Sequence, residues 1–249
     1  VAIDEAGLLM TPAEALALYA KVLTLPVPTV SAVNGHAFGA GAMLALCTDH
    51  VLMRTERGFW SLPEAALTMP FTRGMATLLR TRLTDRTATE AMYTSRRYGA
   101  DDAVRAGIVD EAVDAELLVQ RATEIAVARS ATAGPNLALI KRGLRGPLLD
   151  DLALEQRLVA RATYLKALAT GQDDQALVGL ADKLIDAHTA TVHWLTTVLA
   201  EEALGGPAAL RRGPSQWASG LAARALTAPA ARTAPPASRM CSVRVVLPA

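Results

Sequence analysis

The sequence predicts an α/β protein: a short βαβ core in its first third, followed by a long helical region. Three observations lead there. The β-branched run "PVPTVSAVNG" enters a small-residue stretch from Gly39 to Cys47, and "HVLMR" follows at once, which is the order strand, helix, strand. From Thr72 onward, apolar residues recur three or four apart in one segment after another. With 249 residues, 51% hydrophobic and 20% charged, the chain can bury a sizeable core as one large domain or two small ones.

Each element has its own signal. "TPAEALALYAKVLT" (11–24) opens with Thr11 as N-cap, Pro12 at the first helical position and Glu14 three residues after the cap, so a helix is expected. "PVPTVSAVNG" reads as a buried strand entering an Asn-Gly turn. The Gly39–Cys47 run lacks β-branching and suits a helix packed closely against its neighbours. "HVLMR" is a second strand and "GFWSL" a third, short extended piece. Helices follow in "TRGMATLLRTRL", "TATEAMYTS", "ADDAVRAG" with its glycine stop, "AELLVQRATEIAVARSA", "NLALIKRGLRG" and "DDLALEQRLVARATYLKALATG". A further helix is expected from about Asp173 to Leu199.

Composition narrows the function classes. No apolar run approaches the roughly 18 residues of a membrane span, and no basic start with an apolar centre marks a signal peptide, so a cytoplasmic protein is expected. Cys47 and Cys241 lie far apart in unlike sequence, which suggests neither a disulfide framework nor a metal cluster. The net charge of +1 conceals an asymmetry: six of the 25 basic residues and none of the 24 acidic ones lie beyond Glu202, leaving the first 202 residues at −5. That basic tail also holds six of the 13 prolines and is crowded with alanine, a composition that reads as disordered. It has no aromatic interleaving of the kind that nucleic-acid binding uses.

The chemistry gathers between residues 27 and 67. Amides at a helix start are free donors, so the glycine-rich entry Gly39, Ala40, Gly41 can stabilise negative charge. It serves equally well for close helix packing. Glu64 follows a proline among Phe59, Trp60, Leu62 and Leu67, where loss of water would raise its pKa towards that of a general base; read alone, it is also an ordinary loop or capping glutamate. Ser31, His36 and Asp49 do not fit a hydrolytic triad, because no G-x-S-x-G elbow is present and Ser31 lies inside a strand.

Taken in order, "PTVSAVNGHAFGAGAMLALCTDHVLM", "FWSLPEAAL" and "YTSRRYGADDAVRAGIVDEAV" resemble the crotonase superfamily, the enoyl-CoA hydratase/isomerase family. The motifs cover residues 20–115, and compatible helices continue to about 185. The resemblance implies a crotonase-like ββα spiral core over residues 1–115, a C-terminal helical region over 116–187 and an atypical Ala/Arg/Pro-rich tail over 188–249, largely disordered beyond about 203. It implies that the Ala40 amide is an oxyanion donor and Glu64 the catalytic carboxylate, with Gly39, Gly41, Met43, Pro63 and Leu67 against the substrate. No metal is implied, and no cofactor other than the CoA carried by the acyl-CoA thioester itself. Lys141 and Arg142 fit a solvated helix face or a contact with CoA phosphates.

One departure from the family pattern selects among activities. Hydratases hold a second glutamate in the first turn after the glycine loop; here that position is Met43, which neither orients water nor transfers a proton. A single carboxylate facing an oxyanion donor is enough to move a double bond from 3-enoyl-CoA to 2-enoyl-CoA, so the chain looks closest to the enoyl-CoA isomerases. A hydratase and a catalytically inactive acyl-CoA-binding or vestigial fragment remain the alternatives. The family starts with several strands and a loop supplying the other oxyanion amide, whereas "VAIDEAGLLMTPAEA" resembles the segment after that loop. The expectations are an N-terminally incomplete core, a sheet with an unpaired edge, a tail that is either natively disordered or read out of frame, and, with the family's segments complete, a homotrimer or a dimer of trimers.

Overall fold

The computed structural model describes residues 12–186 and 243–246. Helix α1 (Pro12–Leu23) leads to strand β1 (Val30–Val33), the two-residue β2 (Ala37–Phe38), helix α2 (Ala40–Leu46), β3 (His50–Arg54) and β4 (Trp60–Ser61). After a 3₁₀ turn at Ala65–Leu67 come α3 (Arg73–Arg82), α4 (Asp85–Thr94), α5 (Ala100–Arg105), β5 (Glu111–Val113), α6 (Leu118–Ala128), α7 (Pro135–Leu144) and α8 (Gly146–Gly171). Residues 175–186 are helical as well, the start of the helix expected from 173; its further course, like the caps read at Thr11 and Glu14, lies outside what is described.

The architecture is the expected α/β one. β1 pairs in parallel with β3, and β3 with β5. A parallel pair needs a crossover, which α2 provides between β1 and β3. All four residues of β1 are buried, as its unbroken run of small and β-branched residues predicts for a strand covered on both faces. Alternation divides the work. Val30, Ala32 and Leu52 pack against Leu118, Ala122, Ile125 and Ala126 of α6. Val33, Val51 and Met53 face the larger core built from α1, α2, α3 and α8.

Local chemistry sets the helix starts. Thr72 and Thr84 cap α3 and α4, accepting from the amides of Met75 and Thr87. The N-terminus of α3 is clamped further: buried Glu155 on α8 accepts from Thr72 Oγ1 at 2.8 Å and from the Gly74 amide at 2.8 Å.

The edge of β1 is paired, not open. Val243–Val246, inside the tail whose composition predicts disorder, forms β6 and runs antiparallel to β1 with Val30 opposite Val246. The sheet order is therefore β5-β3-β1-β6. "VRVV" is a short β-branched run in that tail, and its pairing corrects the expectation of an exposed edge.

Candidate active site

A second, two-stranded sheet positions the site. β2 and β4 pair in parallel, Phe38 opposite Ser61, and the Gly39 amide donates to the Ser61 carbonyl at 3.0 Å. The glycine loop and the segment leading to Glu64 therefore leave neighbouring strands side by side. Gly39 has φ 50° and ψ −117°, a backbone state that a Cβ would strain, so glycine is needed there. Ala40 is the first residue of α2 and lies outside the positive-φ region, so alanine is accommodated. Its amide stands ahead of the helix's own hydrogen-bond ladder. A Cβ on half-buried Gly41 would meet nothing within 4 Å, so there is open space beside the helix start.

Glu64 is fully buried at 0% exposure, and among the described residues neither carboxylate oxygen has a hydrogen-bond partner. Burial raises its pKa from 4.5 to about 7. Its surroundings open outward quickly: Pro63 and Leu67 are half-buried, and Ala65 and Ala66 are exposed. Met43 is fully buried one turn into α2, its amide donating to the Gly39 carbonyl at 3.0 Å. Thus Gly39, Ala40, Gly41 and Met43 lie on one short segment, and Pro63, Glu64 and Leu67 on the segment next to it.

Two residues hold this corner, Tyr19, which no motif singled out, and Trp60, which the sequence offered only as an apolar neighbour of Glu64. The Tyr19 hydroxyl, buried on α1, donates to the Ala40 carbonyl at 2.8 Å. Burial above all, then the charges of Cys47 and Glu64, pushes its pKa well above the ordinary value, so it stays a proton donor. The Trp60 indole donates to the Ala42 carbonyl at 3.2 Å. The available signal was an aromatic with a polar tip on an apolar helix face or in a strand, which must find a partner when buried.

Other candidates are drawn elsewhere. Ser31, His36 and Asp49 are not brought together. Ser31 bonds with Thr48 at 3.0 Å, His36 stacks on Phe59 and contacts Phe38, and Asp49 is held by Thr29, Lys141 and Arg145. Burial, then Arg97 and Arg57, lowers the His36 pKa. Lys141 is 5% exposed and donates to Asp49 and the Val27 carbonyl, which corrects both earlier readings, a solvated face and a phosphate contact. Its neighbour Arg142 is exposed. Burial opposes ionisation of Asp49, but hydrogen bonds from Lys141 and Thr29 outweigh it and hold the carboxyl below its ordinary range. Cys47 is a buried free thiol pushed up to about 12 by burial, a packing group and not a nucleophile.

The family model for enoyl-CoA hydratase/isomerase matches residues 9–183. A peroxisomal enoyl-CoA delta isomerase 2 of Arabidopsis thaliana is 32% identical over 146 residues, 57% of this chain and 61% of that protein. A carnitinyl-CoA dehydratase of Escherichia coli K12 is 37% identical over 106 residues, 43% of this chain and 40% of that protein. The chain thus spans between 40% and 61% of the length of these relatives. Among solved structures, a probable enoyl-CoA hydratase of Mycobacterium tuberculosis superposes with a TM-score of 0.56 at 25% identity, covering 64% of this chain and 66% of that one. An apo structure of that same protein, described there as an enoyl-CoA isomerase, gives 0.53 at 27% identity, covering 60% and 66%.

Proposed function

The chain belongs to the enoyl-CoA hydratase/isomerase family, and from that premise we propose that it shifts the double bond of a 3-enoyl-CoA to the 2-position. One observation carries the reading: a buried carboxylate, Glu64, without a hydrogen-bond partner among the described residues and poised near neutral pH, on the segment beside the Ala40 helix start. In the proposed reaction Glu64 removes a proton from C2 of the acyl chain. The electron pair moves into the thioester carbonyl, giving a dienolate whose oxygen accepts from the Ala40 amide. Glu64 then returns the proton to C4, the C3–C4 double bond having moved to C2–C3. Nothing is gained or lost overall, so one group serves as base and then acid. CoA enters and leaves as part of the substrate.

Met43 favours this over hydration or dehydration, the chemistry named for the E. coli relative. Adding or removing water needs a second polar group to hold it, and buried Met43 fills that position with a thioether. The test is optical: isomerisation of a 3-enoyl-CoA by the purified chain, by Glu64→Gln and by Ala40→Pro. Proline fits a first helical position, removes the amide hydrogen and sets its ring Cδ in that place. Turnover is expected to fall about 10²–10⁴-fold in E64Q and about 10²–10³-fold in A40P. Full activity in E64Q, or hydration without isomerisation in the wild type, overturns the proposal.

A further inference from the structure

Tyr19 belongs to none of the motifs that pointed to the site, yet it reaches the site's backbone. It is 2% exposed, packed in a cluster with Leu16, Val22 and Leu23 of its own helix, surroundings that phenylalanine would suit as well. A buried hydroxyl is costly unless bonded, so its partner is the reason to have tyrosine there. That partner is the carbonyl of Ala40, 21 residues away and on another helix.

The need for such a tie follows from the residue before it. The peptide that carries the Ala40 amide hydrogen begins at Gly39, whose φ of 50° and ψ of −117° lie where only glycine is at ease; the Gly39 carbonyl accepts from the Met43 amide at 3.0 Å, and the Ala40 torsions set the peptide's other end. Fixing the Ala40 carbonyl from outside the helix fixes the torsions of Ala40 itself, and through them the aim of its amide. We propose that Tyr19 is a positioning residue: its hydroxyl, bonded to the Ala40 carbonyl, holds the Ala40 amide in line with the developing oxyanion. This rests on the reading of Ala40 as the oxyanion donor. Gly39 is held by its own amide on the Ser61 carbonyl and by its carbonyl under the Met43 amide, and Trp60 bonds to the Ala42 carbonyl; Tyr19 adds the tie at the Ala40 carbonyl itself.

The experiment compares wild type, Tyr19→Phe and a packing control, Val22→Ala, made on the same helix at a buried position that shares the cluster of Tyr19 but carries no polar group. In Y19F, kcat for 3-enoyl-CoA isomerisation is expected to fall about tenfold with KM changed less than twofold, as for an interaction made in the transition state. Backbone ¹⁵N order parameters at Ala40 and Gly41 are expected to drop from about 0.85 towards 0.6, while those of Ala32 and Leu52 stay rigid. V22A lowers the melting temperature without either effect. Wild-type kcat with unchanged order parameters in Y19F overturns the proposal, as does a loss shared equally by V22A. If the wild type does not isomerise, the functional reading fails, while the order parameters still decide the role of the hydroxyl. Should Y19F not fold, the wild type decides: a slowly exchanging hydroxyl proton with a nuclear Overhauser contact to the Ala40 Hα supports the tie, and its absence overturns it.

Discussion

At the residue scale, two buried glutamates show what environment does to one side chain. Glu155 accepts from Thr72 and Gly74, and both its oxygens are used in clamping α3; Glu64 is equally buried, and its carboxylate has no hydrogen-bond partner among the described residues. Only the second pays the full desolvation of its charge, and that sets a pH dependence. Glu64 has an ordinary value of 4.5 when unfolded and about 7 when folded, so between these the folded state binds a proton that the unfolded state has lost. Stability therefore falls as pH rises through that window, by about 3 kcal/mol once above it. Glu64→Gln has no charge to bury. In urea unfolding it is expected to match the wild type near pH 4.5 and to exceed it by about 3 kcal/mol at pH 8. Equal stabilities at pH 8 would show that the carboxylate is solvated. In catalysis the base must be ionised, so kcat/KM is expected to climb through about pH 7. Glu64 was legible because a Pro-Glu step among aromatics signals desolvation within ten residues of sequence. Tyr19 was not, because its partner is a backbone carbonyl that only the fold brings near.

At the element scale, Asp49 is the fastening between the βαβ core and the C-terminal helices. It sits between α2 and β3 and accepts from the Thr29 amide ahead of β1, from Lys141 on α7 and from Arg145 at 3.0 Å. Arg145 also donates to the Leu23 carbonyl at the end of α1, at 2.6 Å. Both cations are nearly inaccessible, with side chains 6% and 4% exposed. Asp49→Asn keeps the shape and removes the charge, leaving two buried cations uncompensated. It is expected to cost about 3–5 kcal/mol in denaturant unfolding. A loss below about 1 kcal/mol would mean that water already screens the cluster. The carboxyl titrates below its usual range, so its contribution is present above that range and disappears only as pH falls through the lowered folded value. The helices that this cluster joins were readable from spacing, because 3.6-residue periodicity survives without tertiary knowledge. Lys141 was misread because spacing places a lysine on a face but cannot name the aspartate 92 positions away that draws it inward. β2 and β5, two and three residues long, are too short for any period to show.

At the scale of the whole molecule, the sheet is extended past β1 by a strand from the far end of the chain. Residues 187–242 separate the helical region from β6, and composition across the tail averages out the four residues that pair. Composition is a property of the segment, whereas pairing depends on a local β-branched run meeting a free edge of matching length. β1 offers such an edge: its residues from Val30 to Val33 each face one from β6. Without that cover, β1 would present its backbone donors and acceptors beside an apolar surface, which is a template for pairing with another chain. A chain ending at Ser242 is therefore expected to associate with itself. Light scattering and sedimentation should show particle size growing with concentration, whereas the full chain at the same concentrations holds one size. The double replacement Arg244→Pro and Val245→Pro in the full chain makes the same point without shortening it, since one of two successive strand amides faces the neighbouring strand and its loss interrupts the ladder. If both variants keep the size and melting temperature of the full chain, β6 contributes nothing to covering the sheet, and the edge of β1 is protected by other means.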